Sequence, residues 1–151
     1  MDAFTNAEVN NRIKAITAIK SILKSNWEFI ETKPEDKTRF DFYIKNKETG
    51  EIIYIEHKDR KYKSNQFADW QLDGKKYDYL KSLKEKCLYI NTFTDGKFAI
   101  WDLSKNIGYR RWSTLHKKYT VKDSQEIYTY DIYFTLDEAC KVGYYKENFV
   151  I

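Results

Sequence analysis

Glu56 and Lys58 stand two residues apart in the stretch EIIYIEHKDRK, residues 51–61, directly after the apolar run Ile52, Ile53, Tyr54 and Ile55. Successive side chains of a strand alternate faces, so the carboxylate and the ammonium point the same way, about 6.7 Å apart along the backbone. Ile53, Ile55 and His57 then take the opposite face. The preceding stretch RFDFYIK has the same period, with Phe40, Phe42 and Ile44 on one side and Arg39, Asp41, Tyr43 and Lys45 on the other. Paired as a hairpin across NKETG, these strands can bring Asp41 beside Glu56. Two neighbouring carboxylates raise each other's pKa unless positive charge is held between them. Magnesium, or manganese in its place, suits such a site because it prefers oxygen ligands and keeps several waters. Asp41, Glu56 and the backbone carbonyl of His57 form the expected ligand set. Lys58 stands beside it, to hold and help deprotonate an attacking water or to stabilise charge on a phosphate. That is the chemistry of phosphodiester hydrolysis. The plain alternative is a surface ion pair of Glu56 with Lys58, worth little energetically, and a solvated Asp41.

Period and punctuation outline the elements that must position these groups. Val9, Ile13, Ile16, Ile19 and Leu23 recur at helical spacing, which predicts a first helix with Thr5 and Glu8 as a capping box at its start. NWEFIET reads as a strand, and KPEDKT, with the single proline, as a turn. Residues 67–86 read as a second helix, with Leu72, Tyr79, Leu80 and Leu83 toward the core and Gly74 permitting close packing. CLYINTF, the turn TDG and KFAIWDL form a second hairpin. Residues 104–122 read as a basic loop and EIYTYDIYF as a strand, while Thr135 with Glu138 caps a short last helix ending near Gly143. This order predicts an α/β (α+β) fold, a central mixed β-sheet flanked by helices, in a single domain over residues 1–151.

Charged residues make up 33% of the 151 and mean hydropathy is -0.76, yet aromatics reach 17%, which argues for a core rather than disorder. No stretch approaches the roughly 18 unbroken apolar residues that span a bilayer, and MDAFTNAEVNN lacks the segments of a signal peptide. The expectation is an intracellular, cytoplasmic protein without a membrane partner; the Lys-, Asn-, Ile- and Tyr-rich composition hints at a bacterial or phage source. Cys87 and Cys140 fit no zinc spacing and read as reduced core thiols. The net charge of +4 is unevenly spread: Ser104 to Lys122 holds Lys105, Arg110, Arg111, Lys117, Lys118 and Lys122 and no acid, whereas six acids follow from Asp123 onward. Such asymmetry suits one polyanion-facing side. Arg60, Lys61, Lys63, Lys75, Arg110, Arg111, Lys117 and Lys118 are the candidate nucleic-acid contacts, a solvated charged face being the plain alternative. Trp112, flanked by arginines, could stack on an unpaired base, although core packing is the ordinary role of Trp27, Trp70, Trp101 and Trp112 alike. His57 reads as a hydrogen-bonded structural histidine. Gly-x-Ser-x-Gly, Walker, Gly-x-Gly-x-x-Gly and His-Glu-x-x-His patterns are all missing, so the corresponding chemistries lack a residue set.

FDFYI followed by IIYIEHK, with a helix before and a helix after, resembles the core of the PD-(D/E)xK nuclease superfamily, and the size of the chain resembles the archaeal Holliday junction resolvases within it. The resemblance covers residues 5–103 and leaves out the basic segment 104–122 and the strand–helix extension 123–151. It implies a restriction-endonuclease-like α/β/α core and a magnesium-dependent endodeoxyribonuclease, often a homodimer. Asp41 matches the motif aspartate, Glu56 the second acid and Lys58 the lysine. Many members add a glutamate from the first helix, a place that Glu8 matches, and Gln71 is the other candidate contributor. No proline precedes Asp41, and Gln71, Lys75 and Tyr77 do not form the Gln-x-x-x-Tyr of some branches. The implied substrate is branched or duplex DNA in recombination, repair or restriction, with RNA left open. The contrasting expectation is a nucleic-acid-binding or protein-interaction module that keeps the fold without turnover.

Overall fold

The computed structural model describes residues 3–23, 26–31, 42–116 and 126–145, with side chains for 12–23, 26–30, 42–113 and 129–145. Its elements run α1 (Ala3–Lys20), β1 (Trp27–Glu31), β2 (Phe42–Asn46), β3 (Ile52–Asp59), β4 (Trp70–Asp73), α2 (Gly74–Ser82), β5 (Lys86–Thr92), β6 (Lys97–Asp102), β7 (Tyr109–His116), β8 (Glu126–Phe134), a single 3-10 turn (Leu136–Glu138) and β9 (Lys141–Tyr144). Six strands form one mixed sheet in the order β1-β2-β3-β5-β6-β9, and three form a second, antiparallel sheet, β4-β8-β7.

The first three strands are an antiparallel meander. Phe42 faces Ile55 and Ile44 faces Ile53, so alternation in both strands puts apolar side chains on one side. The β2–β3 turn is held by Asn46, whose Oδ1 accepts from the backbone N–H groups of Glu48 and Thr49, while Gly50 takes φ 76° to close it. The chain then crosses over through β4 and α2 and returns as β5, parallel to β3.

Each face of the six-stranded sheet carries its own core. Ile53, Ile55, Leu88, Ile90, Phe98 and Ile100 join Ala15, Ala18 and Ile19 of α1 on one side. Cys87, Tyr89, Ala99 and Trp101 meet Leu80 of α2 and Trp70, Leu72, Ile132 and Phe134 of the second sheet on the other. Adjacent residues of β5 therefore serve opposite cores, which is why the strand reads as an unbroken apolar run.

Several expectations change. The second helix covers only Gly74–Ser82. Trp70–Asp73 is a strand with Trp70 and Leu72 buried and Gln71 and Asp73 exposed; on a sequence, two apolar residues at that spacing suit either period. Helix α1 begins by Ala3, so Thr5 lies inside it and is not its N-cap, and Ile13 is 55% exposed because the buried stripe runs through Ala15, Ala18 and Ile19. Within the segment expected to be a basic loop, Tyr109–His116 forms a strand paired along its length with β8. The expected last helix is one 3-10 turn with the Thr135–Glu138 capping box in place, and Gly143 belongs to β9. Cys140 is exposed and Cys87 buried. Trp112 is exposed as well, whereas Trp70 and Trp101 are core residues. No helix among the described residues is long and apolar enough to cross a membrane.

Candidate active site

Strand β3 divides its polar side chains between the two faces. Glu56 and Lys58 point to the side covered by α2 and the second sheet, His57 and Asp59 to the side covered by α1. On the first side, Glu56, Lys58, Gln71, Leu72, Asp73, Lys76 and Tyr89 line one pocket of about 100 Å³. Glu56 sits beside Tyr89, and Lys58 beside Asn91, across the parallel β3–β5 ladder. The opposite wall is β4 and the first turn of α2.

Asp73 reaches this wall because it ends β4 and caps α2. Its Oδ2 accepts from the backbone N–H of Lys76 at 3.1 Å, satisfying one of the helix's orphan donors. That turn also aims Lys76 across the pocket, where its Nζ lies 3.5 Å from Oε2 of Glu56. The pocket thus holds two carboxylates and two ammonium groups. Glu56 and Asp73 carry hard oxygen donors of the kind magnesium or manganese takes. Among the described residues, no cluster of three or more His, Cys, Asp or Glu side chains gathers.

Arg60 braces the pocket's rear. Its Nε donates to Asn91 Oδ1 at 2.7 Å, and its Nη2 donates to the Gln71 carbonyl at 2.5 Å and to the Tyr89 hydroxyl at 3.0 Å, with the guanidinium over the Trp70 ring. The Tyr89 hydroxyl in turn donates to the Gln71 carbonyl at 2.8 Å. Burial pushes the Tyr89 phenol above its ordinary pKa, with Arg60 partly offsetting the rise. This network ties β3, β4 and β5 together, so the guanidinium faces inward.

On the α1 side, His57 Nε2 lies 2.9 Å from Thr92 Oγ1, which donates to Asp59 Oδ1 at 2.6 Å, and Lys14 pairs with Asp59 at 3.2 Å. These groups are separated from Glu56 and Lys58 by the sheet. Helix α1, which carries Glu8, packs on this same side; the Glu8 side chain lies outside the described residues, as does Asp41, one position before the last described β2–β3 pair. Lys61, Lys63 and Lys75 are exposed, Arg110 and Arg111 are exposed on β7, and Lys117 and Lys118 lie outside the described residues.

The pocket residues that sequence reasoning passed over are Asp73, Lys76 and Tyr89. Asp73 had a signal: Asp followed by Gly and a helical run is an N-cap pattern, hidden here by the longer helix drawn through it. Tyr89 had none, because parallel pairing with Glu56 depends on the crossover. Comparison of the chain with protein-family models, with curated proteins and with solved structures finds no match.

Proposed function

We propose that this protein is a metal-dependent nuclease that hydrolyses DNA phosphodiester bonds. The observation that carries the reading is the shared pocket: Glu56 and Lys58 lie on one face of β3 and open into the same cavity as Asp73. An antiparallel meander followed by a crossover to a parallel strand next to the Glu-x-Lys strand supports the likeness to the PD-(D/E)xK superfamily. The reading takes Asp41 as the second acid and adds Asp73 from across the pocket.

Glu56, with Asp41 or Asp73, would hold magnesium or manganese. When bound, the cation supplies Lewis-acid charge to the phosphate. Lys58 holds a phosphate oxygen or the attacking water. Lys76 keeps Glu56 oriented and its charge balanced until the cation arrives. Exposed Lys61 and Lys63 follow β3 and meet the DNA backbone by charge alone.

The test uses supercoiled, linear and four-way-junction DNA in magnesium, with EDTA as control. Wild type should cut, and Asp41→Ala, Glu56→Ala and Lys58→Ala should each abolish cutting; Glu8→Ala and Asp73→Asn decide whether either acid takes part. Cleavage that persists in both Glu56→Ala and Lys58→Ala removes the proposal. The Glu56–Lys76 ion pair favours a second reading, a binding module without turnover. DNA bound by wild type but left intact in magnesium and in manganese would establish it.

A further inference from the structure

Gly74 is the first residue of α2, adjacent to Asp73 in the pocket wall, and the Tyr130 ring lies directly against it: a Cβ on Gly74 would fall 2.6 Å from two ring carbons. Tyr130 is thereby packed against the start of α2. Trp112, its register partner on β7, contacts it with ring centroids 4.9 Å apart. The Arg110 guanidinium lies 4.3 Å from the Tyr130 centroid and 5.7 Å from that of Trp112.

This arrangement is costly as mere surface. Trp112 is 61% exposed, although indole is among the side chains that gain most from burial. A guanidinium held over a ring by its charge can still donate to a phosphate. Among the described residues no carboxylate pairs with Arg110, whereas Arg111 on the other side of the ribbon is held by Asp69 at 3.2 Å. Arg110 thus adds a cation to the Trp112 and Tyr130 rings, so the face complements a polyanion that also has flat apolar surfaces.

We propose that Arg110, Trp112 and Tyr130 form a stacking platform for unpaired nucleotides, Trp112 taking the base and Arg110 its phosphate. Every base has a π-face, so the platform accepts single strands with little regard to sequence; paired bases in a duplex do not present that face. Its consequence for substrate rests on the nuclease reading: Tyr130 packs on the start of α2, the helix that Asp73 caps, so the preferred substrate carries unpaired nucleotides.

The experiment measures binding in EDTA, by fluorescence anisotropy, of a labelled oligothymidine and of a blunt duplex of equal length. Trp112→Ala should weaken oligothymidine binding by about 10-fold or more and leave the duplex almost unaffected, while Trp112→Tyr retains most of the affinity. Arg110→Ala should reduce the slope of log affinity against log salt for the single strand by about 0.7. Circular dichroism and urea midpoints equal to wild type confirm that the exposed substitutions leave the fold intact. Oligothymidine bound equally by wild type and Trp112→Ala, or bound by neither, overturns the platform; binding by neither would leave the face to a protein partner. Wild type that shows Trp112-dependent binding but never cuts overturns the hydrolase and leaves the platform standing.

Discussion

Lys76 and Glu56 face each other across the pocket between α2 and β3, Nζ 3.5 Å from Oε2. On the nuclease reading, a cation entering the pocket competes with this ammonium for the same oxygen. Lys76→Met should therefore tighten manganese binding by roughly two- to tenfold, the scale of a partly screened ion pair. Isothermal titration of wild type and variant checks this without reference to turnover. Equal or weaker manganese binding in Lys76→Met would argue against Glu56 as a ligand.

Gly74→Ala tests how tightly β8 lies on the start of α2. Alanine is the better helix former by about 1 kcal/mol, yet its Cβ would meet the Tyr130 ring at 2.6 Å and the carbonyl oxygen of the same residue closer still. The clash prevails, with a net loss of about 1–3 kcal/mol, readable as a lower urea midpoint. Tyr130→Ala should not rescue it, because the carbonyl remains. A stabilised Gly74→Ala would mean that the second sheet yields easily.

Asp102 is nearly buried, pairs with Lys86 at 3.2 Å and accepts from the hydroxyl and N–H of Ser104. Burial works to raise its pKa, but the Ser104 hydrogen bonds and Lys86 outweigh it and hold the carboxyl below its ordinary 3.8. The ionised form is thus favoured by folding, and its contribution is present above pH 3.8 and is lost as pH falls through the lower folded value. Asp102→Asn should cost about 1–2 kcal/mol at neutral pH, the deficit narrowing in acid. Urea titrations over that range would show a constant deficit if the reading were wrong.

Arg60 joins three strands through donors in a planar fork, which lysine cannot reproduce. Arg60→Lys should lower stability by about 1–3 kcal/mol and also disturb the pocket, since Gln71 and Tyr89 lose their common donor. Lys61→Ala and Lys63→Ala, by contrast, should leave the urea midpoint in place and, on the nuclease reading, weaken DNA binding. Near-equal midpoints for Arg60→Lys and wild type would assign Arg60 to the surface instead.

The strands around the site were legible because each is short, alternates with period two and is closed by a local turn. RFDFYIK, EIIYIEHK, CLYINTF, KFAIWDL and EIYTYDIYF all overlap strands of the structure, and NKETG and TDG are turns between strands. Reading failed where long-range pairing overrode composition. Basic Tyr109–His116 looked like loop until paired with β8, and Trp70–Asp73 leaves the helical pattern because its partner lies about sixty residues onward, at Asp131–Phe134.

Alternation is a property of neighbouring residues, so the sequence alone determined that Glu56 and Lys58 share a face of β3 and that His57 takes the other. What stands opposite that face was decided only in three dimensions. The crossover from β3 to β5 brought β4, α2 and the second sheet over it, supplying Asp73, Lys76 and Tyr89, and sent α1 to the far side. It also left Trp112 in solvent. Burial is a property of the whole chain's arrangement: a tryptophan and a strand's polar edge become core, surface or pocket according to which distant segment covers them.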